Sequence, residues 1–525
     1  MSKKNYKRLQ EFLTSTKNHP ILNRREFLSR WGAGIFSTSL IPFSGAFGDD
    51  QESIFPEGIC DLSINSAMTP TLIIDLAGGG HLIGSNFIVS QSTDGNQLGD
   101  LGYDARGLGI SDNVDGLGKL NEAKIDQSFG ISMHSDSKIL EGMKAAIGAG
   151  DGPNLYSQSV DGGVICASTL DDTQLNEINP LYWICNSGCI GKFRPSLGNL
   201  STRSGGFSTI PEYNNLSKNL PVPISKEENL IKLLEISRLA NKQSPEQQGE
   251  LLKLIEDLNI NGLIQRKEKF SDSLRNRLYC DYKIPRKVLT DPNIRIDDLK
   301  IPSDGIISNT FTSPIENKSL DTFKVFSHLL LNKYFGVGSI SLNGFDYHDG
   351  SRAAGDIKDY ELGYNIGAVI KSAVDLGKNI VLMIITDGGV GVDLSGGTID
   401  QNGRIAWVAD RGTASAGVIL AINGAGKSKP KTRTAVGGDV AKRQVGRILK
   451  GIGNYTYDNL QVDLKHHPIT SQGGVGLASG LFANYLALHG MEGKLGEFAG
   501  IDLFSSSDGS VLDDYLIFDQ TFNES

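Results

Sequence analysis

The chain has 525 residues, 39% of them hydrophobic, with 63 glycines and a formal net charge of −9. That length and apolar content support one large domain or two ordinary ones with a sizeable core, and exclude a disordered or fibrous chain. The acidic balance argues against nucleic acid as a partner, because phosphate backbones are bound through basic patches and counterion release. Glycine is enriched while proline is ordinary, which predicts many tight loops rather than disorder.

In residues 1–46, eight cations (Lys3, Lys4, Lys7, Arg8, Lys17, Arg24, Arg25 and Arg30) face only Glu11 and Glu26, so the remainder of the chain is more acidic than the whole. Arg24 and Arg25 precede Phe27, Leu28 and a moderately apolar stretch from Trp31 to Phe43. The segment resembles a twin-arginine export signal, with Ser44 and Ala46 as the small residues before a cut that leaves 47–525; the plainer alternative is an amphipathic helix. A span through a membrane is not expected, since the apolar stretch falls short of the ~20 residues a helix needs.

The first expected strand is "TLIIDLAGGGHLIGSNF" at 71–87, an apolar run opening into a glycine loop. The Asp- and Gly-rich residues 92–118 lack the oxygen spacing of a calcium loop and read as a solvated loop. A helix carrying Ile139, Met143 and Ile147 and a strand "GGVICAS" at 162–168 follow. Five cysteines (Cys60, Cys166, Cys185, Cys189 and Cys280) are too few and scattered for a disulfide-built fold. Within "CNSGC", Cys185 and Cys189 read as a local disulfide, a redox pair or two plain thiols. Residues from Lys226 to Asn276 are charged, Leu/Ile-periodic and poor in glycine, predicting a helical insertion over about 222–300, broken near Ser244-Pro245.

The α/β alternation then resumes. A helix around 320–334 precedes strand "VGSISL", the loop "FDYHD", a helix around 357–375, strand "NIVLMIIT", and further strands "RIAWVA" and "AGVILAI"; the helical patch "GLASGLFANYLALHG" closes the body. Near-continuous apolar strands between helices predict a three-layer α/β sandwich with a mostly parallel central sheet.

Ligands of open parallel sheets collect at the carboxyl ends of the strands. Asp346 and His348 follow "SISLNGF", Asp387 follows "VLMIIT", and Asp410 follows "IAWVA". Neighbouring strands lie ~4.8 Å apart, so their first loop residues can converge on one ion. Metal ligands, a general acid/base pair and a polar loop that merely ends a strand are the three readings of Asp346, His348 and Asp349.

The paired arginines, the glycine loop after the first strand, "GFDYH" and "TDGG" together resemble a family of exported proteins of unknown function in the alkaline phosphatase and sulfatase superfamily. The resemblance covers most of residues 71–500, and residues 341–348 carry its specific motif. It implies an alkaline phosphatase-like fold over 47–525, with Asp346, His348 and Asp387 as ligands of one or two divalent cations, zinc or manganese by their chemistry, and Asp410 as a weaker fourth. The implied reaction is hydrolysis of a small or polymeric anionic phosphate or sulfate ester in the periplasm, at the cell surface or outside the cell. Two departures open an alternative, a non-catalytic binding protein on the same fold. In "ADRGTAS", Arg411 stands where the family has a ligand histidine; it cannot coordinate a cation but suits an oxyanion. His81 stands where the family's first loop has an acid. Ser85 is the best-placed nucleophile, Ser111 a poorer one, and no Gly-x-Ser-x-Gly elbow joins a strand to a helix.

Other histidines are weaker ligand candidates. His466 and His467 adjoin Pro468 and read as surface residues, while His134 and His328 are expected on helical faces. "AINGAGKS" at 421–428 is not a phosphate loop, because Ala421 replaces its first glycine and Pro430 stands where a helix must begin.

Overall fold

The computed structural model describes residues 68–78, 80–82, 86–87, 125–148, 154–167, 179–192, 194–199, 221–229, 299–346, 350, 352–386, 389–392, 406–410, 415–433, 473–500, 502, 504–506, 509–510 and 512–522. The export-signal segment and most of the expected helical insertion lie outside them. Contacts divide the chain into two units. One comprises Ile64–Asn214, Leu220–Ser225 and Ile301–Ser525 and carries every element named below; the other comprises Met1–Ser63, Asn215–Asn219 and Lys226–Lys300.

The core is a seven-stranded sheet. Its members are β1 (Thr71–Leu76), β4 (Val160–Ala167), β5 (Arg194–Gly198), β6 (Val222–Pro223), β7 (Phe335–Leu342), β8 (Asn379–Thr386) and β11 (Ser415–Asn423), in the order β4-β11-β8-β1-β7-β5-β6. Pairings from β8 through β1, β7 and β5 to β6 are parallel, and β11 runs antiparallel to both β8 and β4. The sheet is therefore mixed but mostly parallel, with β11 as its reversed strand. β1 and β8 are buried along nearly their whole length, which is why they read as unbroken apolar runs and not as alternating ones.

Helices cover both faces. The described helices are α1 (Lys138–Ile147), α2 (Leu155–Gln158), α3 (Leu181–Asn186), α4 (Ile306–Thr310), α5 (Leu320–Leu331), α6 (Arg352–Asp375), α7 (Gly473–Ala487) and α8 (Leu495–Ala499). Gly338 of β7 faces Phe326 and Leu330 of α5, and α5 packs on α6, which packs on α1. On the opposite face, Asn179 just before α3 donates from Nδ2 to Ser339 Oγ at 2.7 Å, and Gly417 faces Leu477 and Leu481 of α7. Strand register carries Gly417 across to Ile385, Asp75 and Ser341, so α3 and α7 share that second face.

Glycine serves packing as well as loops. A Cβ on Gly363 of α6 would overlap the Ile139 carbonyl of α1, and one on Gly142 would overlap the Tyr360 carbonyl. These bare positions let α1 and α6 approach backbone to backbone while Ile139, Met143 and Ile147 are buried at the predicted helical spacing.

Several expectations are refined. His134 lies not on a helix but in β3 (Met133–His134), paired with β2 (Ile125–Asp126), and its Nδ1 accepts from Asp136 N at 3.1 Å. His328 is on α5, as expected, and buried. The 421–428 segment leaves β11 through a tight turn in which Asn423 accepts from Gly426 N and Lys427 N, and an extended stretch follows it rather than a helix.

Candidate functional site

The parallel strands end level with one another. Leu76 of β1 is in register with Leu342 of β7 on one side and Thr386 of β8 on the other. This corrects one premise of the sequence reading: β7 and β8 are not neighbours, because β1 runs between them. The ends of β7 and β8 therefore lie about two strand spacings apart, ~9.6 Å, with β1 between them. Sequence cannot reveal that order, since α6 crosses over β1 to connect β7 with β8.

The loops after β1 and β7 are clasped by their backbones. Ala77 N donates to Leu342 O (2.9 Å), Phe345 N to Ala77 O (3.3 Å) and Gly80 N to Phe345 O (3.1 Å). Gly78 makes the closure possible: its φ is +100°, and a Cβ there would overlap the Asp346 backbone and Cβ. Phe345 turns into the core with 2% exposure while Asp346 is exposed. A buried aromatic thus anchors the loop and presents the next carboxylate to solvent. The other flank of β7 is held by Asn199, whose Oδ1 accepts from Ser341 N and whose Nδ2 donates to Ser341 O, both at 2.8 Å.

Trp407 fixes the far side of the "FDYHD" loop. Gly350 N donates to Trp407 O at 2.7 Å, the Arg352 guanidinium lies 4.5 Å over the indole, and the His81 ring packs at 4.9 Å from it. Such cation–π contacts strengthen when desolvated, as here, where Arg352 and Trp407 are both buried. Phe345 and Asp346 on one side, and Gly350 and Arg352 on the other, are therefore anchored, and in sequence they bracket His348. His348, Asp387, Arg411, Ser85, Ser111, His466 and His467 lie outside the described residues.

Asp410 is not at the end of a central strand. It closes β10 (Trp407–Asp410), which pairs antiparallel with β9 (Val390–Val392) in a separate two-stranded ribbon, Asp410 opposite Val390. Ala406 and Trp407 of "IAWVA" are buried, but the strand that Trp407 opens belongs to this ribbon and not to the central sheet. His81 is likewise not displayed at the strand ends: it is buried against Trp407. Behind it, Asn86 Nδ2 donates to His81 O (2.9 Å) and Asp359 Oδ2 (2.7 Å), while its Oδ1 accepts from Ser137 Oγ (2.6 Å). The glycine loop is thereby tied to α6 and to the start of α1.

Sequence reading passed over Asp75. It sits in β1 level with Ser341 and Ile385 and has no solvent exposure. A charge inside "TLIIDL" was the available signal, because carboxylates are costly to bury unless they are paired or serve a site. It lies one residue from the carboxyl end of the central strand, below the clasp.

Of the expected ligands, Asp346 and Asp410 fall among the described residues, and Asp346 is exposed on a loop anchored through its backbone. Among the described residues, His, Cys, Asp and Glu form no group of three or more placed to hold an ion. No described helix is long and apolar enough to cross a membrane. No family model matches the chain, and neither curated proteins nor solved structures include a significant match to it.

Proposed function

We propose that this protein is an exported hydrolase of phosphate or sulfate esters whose divalent cation, zinc or manganese, binds at the carboxyl edge of the sheet, within an alkaline phosphatase-like fold. The observation that carries this reading is the clasp that holds Asp346 exposed beside the end of the central strand. Asp346, His348 two residues on, and Asp387, which follows β8 in sequence, are the proposed ligands, with Arg411 binding the anionic group of the substrate and Ser85 the candidate nucleophile. A divalent cation in such a place polarises an ester oxygen. The twin-arginine resemblance at Arg24 and Arg25 supports export, and replacing both by Lys should leave precursor in the cytoplasm at unchanged charge.

A second reading, a binding protein that keeps the fold without catalysis, is favoured by one observation. His81, at the place where the family that the chain resembles has an acid, is turned into the core against Trp407. Elemental analysis of the purified mature chain, together with a panel of phosphate and sulfate monoesters and diesters assayed before and after chelation and metal add-back, separates the two. Metal-dependent turnover supports the hydrolase; a metal-free, inactive protein with an intact fold supports the binding protein.

A further inference from the structure

The proposed function makes no use of the "CNSGC" motif. Its residues lie at the opposite, amino edge of the sheet. Helix α3 ends at Asn186, and Gly188 follows with φ +95°. Gly188 N then donates to Cys185 O at 3.1 Å and Cys189 N to Ile184 O at 3.3 Å. This Schellman-type closure folds the chain back on the last helical turn and ties residue 189 to residue 184, next to Cys185 in the chain.

Both side chains are free thiols, buried to 2% exposure or less. Cys189 Sγ shares its hydrogen between Thr69 O (3.4 Å) and Gly336 O (3.3 Å), at the starts of β1 and β7. Burial pushes the Cys189 thiol up to about 12. Burial, and then the charge of Cys189, push the Cys185 thiol well above its usual range. Thiol–disulfide exchange proceeds through the thiolate and needs access, so the closed structure withholds both requirements.

We infer that Cys185 and Cys189 form a dithiol sealed by the fold, and that the same pair becomes a site of local disulfide formation when the chain is open to a thiol–disulfide oxidant. In that reaction one thiolate attacks the oxidant's disulfide and the second displaces it. The Cys185–Cys189 bond forms, the oxidant's S–S bond breaks, and the two cysteine protons end on the oxidant's sulfurs, which leave as two thiols. The product has no S–H to share between Thr69 O and Gly336 O, so the oxidised chain closes its amino edge less well. The biological setting rests on the export reading: a route that carries folded chains delivers this dithiol already sealed.

The test uses the purified full chain and oxidised glutathione as the probe, with and without urea, followed by alkylation and peptide mass spectrometry. In native buffer both cysteines should remain thiols, reacting at least ~100-fold more slowly than in urea, as expected when reaction requires opening of a buried segment. In urea a peptide lighter by two hydrogens, containing an internal Cys185–Cys189 bond, should accumulate, and Cys185→Ser should abolish it. That variant needs no folding to be informative, because it is read in urea. Native oxidation at a rate comparable to that in urea overturns the inference, as does pairing of both residues with Cys60, Cys166 or Cys280 instead of each other. Normal export of the double Lys variant of Arg24 and Arg25 would remove the export reading alone and leave this result standing.

Discussion

The two edges of the same sheet are held by different means. At the amino edge, side chains converge on one stretch of backbone: Tyr485 Oη donates to Thr69 O at 2.9 Å, His489 Nε2 accepts from Thr69 N at 3.3 Å, and Cys189 Sγ reaches Thr69 O. The rings of Phe482, Tyr485, His489 and Phe522 pack in a chain beside them, the first two stacked and the others tilted. At the carboxyl edge the loops after β1 and β7 are joined backbone to backbone, and Asp346 faces solvent. The main-chain join between the β1 and β7 loops leaves the Asp346 residue exposed, with Asn199, Arg352 and Asn86 bracing the loops from behind, whereas Tyr485, His489 and Cys189 are all engaged at Thr69. On the proposed function, the amino edge carries stability and the carboxyl edge the chemistry.

The largest effect is expected where the amino edge has no room. A Cβ on Gly336 would overlap the Cys189 carbonyl, and backbone cannot step aside as a side chain does. Gly336→Val should cost ~3 kcal/mol or more, as overpacking against fixed atoms does, read by urea denaturation. A loss under ~1 kcal/mol, ordinary for a point change, would mean that this edge yields far more easily than its packing implies.

Acid tests the same edge. Burial lowers the His489 pKa to about 4, and its Nδ1 has no hydrogen-bond partner, so the native state holds the ring neutral. The unfolded chain, with an ordinary histidine pKa near 6.5, takes up a proton first. Stability from this group is thus full above about pH 6.5 and falls as pH drops toward 4, by about 2 kcal/mol between pH 7 and pH 5. His489→Gln should flatten that slope; an unchanged slope would place the acid sensitivity elsewhere.

At the carboxyl edge, Gly78→Ala forces a side chain onto φ +100° and into Asp346. A cost of ~1–2 kcal/mol is expected for strain of this kind, with loss of cation affinity alongside. Smallest of all, Asp346→Asn should change stability by less than ~0.5 kcal/mol, because the side chain is exposed. A large loss of stability in that variant would erase the contrast between the edges.

Much of the scaffold was legible because local pattern dictates it. "NIVLMIIT" became β8 residue for residue, and "TLIIDL" became β1, since strands buried on both faces carry unbroken apolar runs. Helix α6 begins at Arg352, five residues before its expected start, where stacking of Arg352 on Trp407 supplies a tertiary contact that periodicity does not encode. Strand order was not legible, and with it went the assumed adjacency of β7 and β8. Asp410 was misplaced because a buried Trp makes a short ribbon look like a core strand. Asp75 was overlooked for the opposite reason, one carboxylate hidden in an apolar word. The clasp itself rests on main-chain hydrogen bonds and on the left-handed conformation of Gly78, which three glycines in a row hint at without locating.

The central claim is that the clasp presents Asp346 as a cation ligand. Calorimetric titration of zinc or manganese into the metal-stripped mature chain, alongside Asp346→Asn and His348→Ala, tests it most directly. The account predicts saturable binding to the unaltered chain and affinity lower by ~10–100-fold in each variant, the usual cost of disturbing a metal site. Absence of binding by the unaltered, folded chain, or equal affinity in all three proteins, would contradict it.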